Sequence, residues 1–104
     1  MDIKEQYEDL TQKIKISLPI KAFPIRELVQ ILRDKGNPIT LKTELTIIDV
    51  FNSGDISGIV CVIKEMPTVC SLTHLTFSRN YPLYKDILEY QIKREKRIRK
   101  LNML

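Results

Sequence analysis

The chain has 104 residues, of which 43% are apolar and 29% are charged, a composition typical of one globular domain with a single core. This composition excludes a disordered or fibrous protein. No apolar run approaches the roughly 20 residues that a membrane-spanning helix needs, and the acidic start of the chain has no apolar run of the signal-peptide type.

The formal net charge of +4 is unevenly distributed along the chain. Residues 91–104 contain six lysines and arginines and a single acid, Glu95, which gives this segment a charge of +5. Residues 1–90 contain eleven bases and twelve acids and sum to −1. The high isoelectric point therefore describes the C-terminal segment and not the whole surface.

The N-terminal segment, residues 1–16, is predicted to be an amphipathic helix from residue 2 onward. Its apolar residues recur at spacings of four, three and four and so share one face: Ile3, Tyr7, Leu10 and Ile14. A stripe this narrow and short needs a surface to pack on. Two alternatives stay open, namely the domain's own sheet and a protein partner, including a second copy of the chain.

Residues 17–24 are predicted to be a linker, because Pro19 and Pro24 disfavour helix in the residues before them. A second helix is predicted over residues 24–35, with Pro24 in its first turn. The buried stripe of this helix is predicted to be Ile25, Leu28, Val29 and Leu32. Gly36 is placed to end the helix in a left-handed conformation, and Asn37-Pro38 follows as a stop signal.

Three strands are predicted next. From Thr40 to Phe51, apolar and polar residues alternate, with Leu41, Leu45 and Ile47 on one side. Asn52 to Gly58 reads as a polar turn. Ile59 to Ile63 is apolar throughout and rich in β-branched residues, which predicts a central strand covered on both faces. Glu65-Met66-Pro67 forms a turn, and Val69 to Phe77 is the third strand, so an antiparallel meander results.

The last element is a helix over residues 82–102. The sequence thus predicts a single α+β domain, residues 1–104, with the order α-α-β-β-β-α and a three-stranded antiparallel β-meander flanked by helices. The core, residues 25–104, ends in a basic helix. We expect the second and last helices to cover one face of the sheet. The N-terminal helix or a second copy covers the other, which favours a homodimer.

The cysteines and the single histidine do not form a convincing metal or catalytic site. A two-residue or four-residue loop at residues 65–67 places Cys61 and Cys70 on one face, whereas a three-residue loop separates them. The lack of an N–H on Pro67 argues against the tightest of these turns. His74 lies about 13 Å along the strand from Cys70, too far for one ion or a catalytic pair. We therefore predict no enzyme activity, cofactor, metal or small-molecule substrate.

We predict a cytoplasmic, non-enzymatic protein-interaction module, homodimeric or bound to another protein, that uses the N-terminal stripe or an exposed face of the sheet. No membrane association is expected, and the cysteines are expected to be reduced thiols. The alternative is a nucleic-acid-binding protein in which the basic end of the last helix contacts phosphates. The residues assigned to that alternative are Lys93, Arg94, Lys96, Arg97, Arg99 and Lys100.

Overall fold

The computed structural model describes residues 3–66 and 68–103. Residues 1 and 2 of the predicted N-terminal segment, Pro67 of the predicted turn, and residue 104 lie outside the described residues. The helices are α1 (Ile3–Ser17), α2 (Arg26–Asp34), the short α3 (Gly54–Ser57) and α4 (Tyr84–Asn102). The strands are β1 (Ile20–Pro24), β2 (Leu45–Asn52), β3 (Ile59–Ile63), β4 (Thr68–Ser71) and β5 (Leu75–Thr76). The α+β class is confirmed, but the three-stranded meander is one part of a larger sheet.

The five strands form an antiparallel sheet in the order β4-β3-β2-β1-β5. Strands β4 and β5 lie at opposite edges, yet only a three-residue 3₁₀ turn, Leu72–His74, joins them. Such a turn spans about 6–8 Å, whereas the edges of a flat five-stranded sheet are about 19 Å apart. The sheet is therefore curled, and its two edges approach each other.

The predicted linker at residues 17–24 is wrong, because most of it is β1. This strand pairs with β2 on one side and β5 on the other, with Ile20, Ala22 and Pro24 buried. Pro24 is the last residue of the strand, a position where the missing N–H interrupts no further pairing. The two prolines thus bracket a strand instead of marking an irregular segment.

The first predicted strand begins too early. Leu41 lies in a turn before β2 and its side chain is 50% exposed, so it does not share the buried face of Leu45 and Ile47. The alternation within β2 also breaks, since Ile48 is an extra residue in a bulge opposite β3. Because the bulge adds one residue opposite β3, two consecutive residues of β2, Ile48 and Asp49, face solvent.

The third predicted strand, Val69 to Phe77, is interrupted by the 3₁₀ turn. Ser71 starts this turn because its side-chain oxygen accepts a hydrogen bond from the Thr73 backbone N–H. Leu72 at its first position is fully buried. The interruption directs the chain to the opposite edge of the sheet, where β5 pairs with β1.

One local prediction, the end of α2 at a left-handed glycine, is confirmed in detail, and one register that was left open is settled. Gly36 follows α2 with φ +91°, and the N–H groups of Gly36 and Asn37 donate to the carbonyls of Arg33 and Leu32. This hydrogen-bond pattern is a Schellman motif. Cys61 lies directly opposite Cys70 in the β3–β4 register, which is the register of a two-residue loop. The argument from Pro67 against that register was wrong.

Of the described helices, α1, α2 and α4 contribute to the core cluster, which lies against the inner face of the sheet. Helices α1 and α4 pack there side by side, with the rings of Tyr7 and Tyr90 edge to face at 5.1 Å. The expectation that α1 covers the other face of the sheet is wrong. That outer face keeps exposed apolar side chains. Across residues 3–66 and 68–103, no helix is both long and apolar enough to cross a membrane.

Candidate functional site

The basic end of α4 is divided by the fold into internal and external cations. Arg94 is internal, with only 3% of its side chain exposed. Its guanidinium donates to the Asp55 carboxylate at 3.3 Å and to the backbone carbonyls of Asp55 and Ile56 at 3.1 and 3.2 Å. The Tyr7 hydroxyl lies 3.5 Å from the same group. Arg94 therefore locks α4 to α3 and does not reach the surface to contact a phosphate.

Arg97 adds a second contact to the same carboxylate. Its Nε and Nη2 donate to the two Asp55 oxygens at 2.6–3.1 Å in a two-pronged geometry. Hydrogen bonding from Arg97 holds the pKa of Asp55 below its ordinary value, and Asp55 in turn raises the pKa of Arg97. The guanidinium of Arg97 is thus bound to Asp55 within the chain, while more than a third of the Arg97 side chain stays exposed.

The short helix α3 presents Asp55 to both arginines. The Asn52 side chain accepts a hydrogen bond from the Gly54 N–H, which starts the helical turn. Gly58 ends it with φ +66° and ψ −144°, a conformation that only glycine adopts readily. Directly after it, the Ile59 N–H donates to the Tyr90 hydroxyl at 2.8 Å. The predicted polar turn is therefore the anchor point of α4.

Four cations of this segment, Arg97 among them, line a cleft between α1 and α4. We call it the basic cleft; its volume is about 250 Å³, and it is lined by Ile3, Gln6, Tyr7, Lys93, Lys96, Arg97 and Lys100. A second cavity of about 190 Å³ continues along the same helix pair, where acids such as Asp86 and Glu89 mix with bases. The two helices run antiparallel, since the start of α1 faces the end of α4. Arg99 is exposed outside the cleft.

The N-terminal stripe packs on the chain's own core. Tyr7, Leu10 and Ile14 are buried in the core cluster, and Ile3 packs partly against it. The structure thus offers no free apolar stripe on α1. A role for these four residues in binding a partner stays a prediction.

The outer face of the sheet instead carries an apolar surface that the sequence did not single out. We call it the outer apolar patch. It consists of Ile48 and Phe51 on β2, Val60 and Val62 on β3, and Val69 on β4. In this register Phe51 lies opposite Val60, and Val62 lies opposite Val69. Ile48, Phe51 and Val69 are 47, 42 and 54% exposed, whereas their neighbours Val50 and Cys61 face the core.

Val60 shows that the outer apolar patch is separate from the core. Its side chain is only 8% exposed, yet it does not belong to the core cluster. Neighbouring side chains on the outer face must therefore shield it. The sequence did carry a signal for this face, since Ile59 to Ile63 is apolar at every position. Only the bulge at Ile48, which no local pattern reveals, completes the patch.

The two thiols lie inside the core. Cys61 and Cys70 are free and buried. Burial raises the pKa of both groups, that of Cys70 to about 12. Asp49 on β2 is exposed, and its carboxylate accepts a hydrogen bond from the next backbone N–H, that of Val50.

Comparison of the chain with known protein families, curated proteins and solved structures finds no match.

Proposed function

We propose that this protein is a non-enzymatic protein-interaction module that forms a homodimer through the outer apolar patch. The observation that carries the proposal is the group of neighbouring apolar side chains on three adjacent strands, which surrounds one carboxylate, that of Asp49. Exposed apolar residues scattered singly are ordinary, but a contiguous group with polar borders is typical of a protein interface. Covering Ile48, Phe51 and Val69 with a partner removes their apolar surface from water, which stabilises the complex.

A second copy of the chain suits this face because the face carries two charges of opposite sign, Asp49 within the outer apolar patch and Lys64 at its border. Asp49 lies beside Val62, and Lys64 follows β3 with its N–H bonded to Thr46. Within residues 3–66 and 68–103, neither Asp49 nor Lys64 forms an ion pair. A two-fold interface presents the same surface twice, so Lys64 of one protomer can meet Asp49 of its partner.

The geometry of the proposed dimer follows from the packing of sheets. Two outer faces would stack about 10 Å apart, with their strands turned by about 30°. Val62 would lie at the centre of the interface, and Phe51 and Val69 would interdigitate with their counterparts. The polar hydrogen bonds at the far end of the face, where Glu65 and Lys21 bind Thr46, would lie at the border.

We propose that the protein is not an enzyme because of the state of its two cysteine thiols, the side chains best suited to nucleophilic catalysis. The two thiols are buried and protonated at neutral pH, because burial raises the pKa of each. We place the protein in the cytoplasm, where a reducing environment keeps such thiols reduced.

The test is the solution mass of the full-length protein, measured by sedimentation equilibrium over a wide range of concentration. We expect a dimer for the wild type and a monomer for Val69→Lys, which puts a charge into the patch. Ile16→Lys introduces the same charge at a position on α1 that is 86% exposed and outside the patch, so this control should stay dimeric. A monomeric wild type, or a Val69→Lys dimer as stable as the control, would overturn the proposal.

Charge reversal gives a second, finer test of the two-fold arrangement. Asp49→Lys should weaken the dimer, since it sets two lysines against each other across the interface. Adding Lys64→Glu to that variant should restore the dimer, because the opposite charges face each other again. Loss in the single variant without recovery in the double variant would contradict the proposed pairing of Asp49 with Lys64.

A further inference from the structure

The basic cleft collects cations on one face of α4 and directs them toward α1. Lys93, Lys96, Arg97 and Lys100 are separated by three, one and three residues, a spacing that places them on a single helical face. All four line the cleft, and none of the described residues that line it is acidic. Lys96 and Lys100 form no ion pair within the described part of the chain.

Like charges at this spacing repel one another, by a few tenths of a kcal/mol for each pair. The helix dipole offsets such repulsion only near the C-terminus, since its effect falls off within the last turn. Helix α4 ends at Asn102, so Lys93 and Lys96 lie more than one turn before that end. The dipole also has no preference for one face of the helix. Repulsion therefore opposes this cluster of four cations, and the helix dipole does not explain why the cations face one cleft.

The length of the cationic row indicates which kind of anion fits. From Lys93 to Lys100 the helix rises about 10 Å, a distance that covers successive phosphates along a nucleic-acid strand. A cleft of about 250 Å³ between two packed helices has room for one phosphate backbone. It cannot hold both backbones of a duplex, which are separated by a major groove about 12 Å wide. The concave shape is equally unsuited to a flat membrane surface.

The same cleft offers no platform for bases. Its aromatic residue, Tyr7, is 5% exposed and is packed edge to face against Tyr90. Base stacking on an aromatic face is therefore absent from the described cleft, and recognition falls to charge alone. Such contacts position a strand without reading its sequence.

We propose that the basic cleft binds the phosphate backbone of single-stranded nucleic acid through Lys93, Lys96, Arg97 and Lys100, independently of base sequence. Lys93 exchanges its exposed partner Glu89, at 2.7 Å, for a phosphate. Arg97 keeps Asp55 and uses its exposed part. Arg94 stays buried and contributes by holding α4 in place. This inference is independent of the proposed dimer, which uses the opposite face of the sheet.

The test measures fluorescence anisotropy of labelled oligo-dT and oligo-U with the full-length protein. With three or four phosphates neutralised, the affinity should fall about 20–50-fold between 50 and 200 mM salt. Lys96→Glu combined with Lys100→Glu should weaken binding at low salt by about tenfold or more. Removing the whole basic segment is a poorer test, because it also deletes the buried Arg94.

The matched control combines Lys15→Glu with Lys42→Glu, two exposed lysines that do not line the cleft, and it changes the net charge by the same amount. This variant should retain binding within about threefold of the wild type. No binding by the wild type at low salt would overturn the proposal, as would equal losses in the two double variants. Binding to phosphatidylserine vesicles without binding to either oligonucleotide would also overturn it, in favour of an anionic lipid surface.

Discussion

Gly58 lies against Tyr90 so closely that a Cβ on the glycine would overlap the tyrosine hydroxyl oxygen. The same Cβ would come within 2.9 Å of Arg94 Nε. One residue without a side chain thus allows α4 to approach the turn between β2 and β3. That approach brings the Tyr90 hydroxyl to the Ile59 N–H and the Arg94 guanidinium to Asp55. The turn and the helix are therefore a single structural unit.

Gly58→Ala should destabilise the fold by about 3–4 kcal/mol, since the backbone conformation is strained for alanine and the added methyl group overpacks the site. Gly54→Ala is the matched control, because Gly54 has nearly the same φ, +65°, but a Cβ added there would meet nothing within 4 Å. That control should lose only about 1–2 kcal/mol. Urea denaturation measures both values, and equal losses in the two variants would show that the approach of Tyr90 and Arg94 is not what requires glycine.

The ion pairs of Asp55 should make stability fall at acidic pH. Hydrogen bonding from Arg97 lowers the pKa of Asp55 in the folded state. A lowered pKa means that the stabilisation is fully present above the unfolded value of about 3.9 and is lost as the pH falls through the folded value. We expect the urea midpoint of the wild type to decrease in that acidic range.

Asp55→Asn should lower the urea midpoint at pH 7 and make its decrease toward acidic pH shallower than in the wild type. Asp34→Asn is the control, because Asp34 is exposed on α2 and accepts a hydrogen bond from the nearby Gln30. The control should keep the wild-type pH dependence. An Asp55→Asn protein with an unchanged pH profile would show that the two arginines gain nothing from the charge on Asp55.

Elements whose determinants are local could be predicted from the sequence. The end of helix α2 is set by Gly36, two residues after its last residue, because glycine adopts positive φ without steric cost, and the neighbouring residues alone reveal this. The short turn limited the β3–β4 register to three possibilities, of which the structure shows the one that pairs Cys61 with Cys70. The α+β class follows from the alternation of helical and strand periods along the chain.

Elements fixed by distant partners could not be predicted in the same way. Strand β1 pairs with β2 and with β5, which lie about 25 and 50 residues further along the chain. The sequence near β1 shows only its two prolines, and these led to the prediction of a linker. Arg94 was predicted to lie at the surface because the prediction considered only the charges of its neighbours in sequence. Its partner Asp55 is 39 residues away. One signal did exist, since Arg94 continues the spacing of Ile87 and Tyr90 on the buried face of α4.

The buried thiols should resist modification in the native protein. Burial raises the pKa of Cys70 to about 12 and also raises that of Cys61, and both sulfur atoms are shielded from solvent. The thiolate fraction of Cys70 at pH 8 is then about a thousandfold smaller than that of a free cysteine with a pKa near 8.5. Alkylation by iodoacetamide at pH 8 should slow by at least that factor. In denaturant, both cysteines should react at the rate of a free thiol, which serves as the control. Native labelling as fast as in denaturant, read by intact mass, would show that the β3–β4 pair opens readily and that the outer apolar patch lies on a mobile edge.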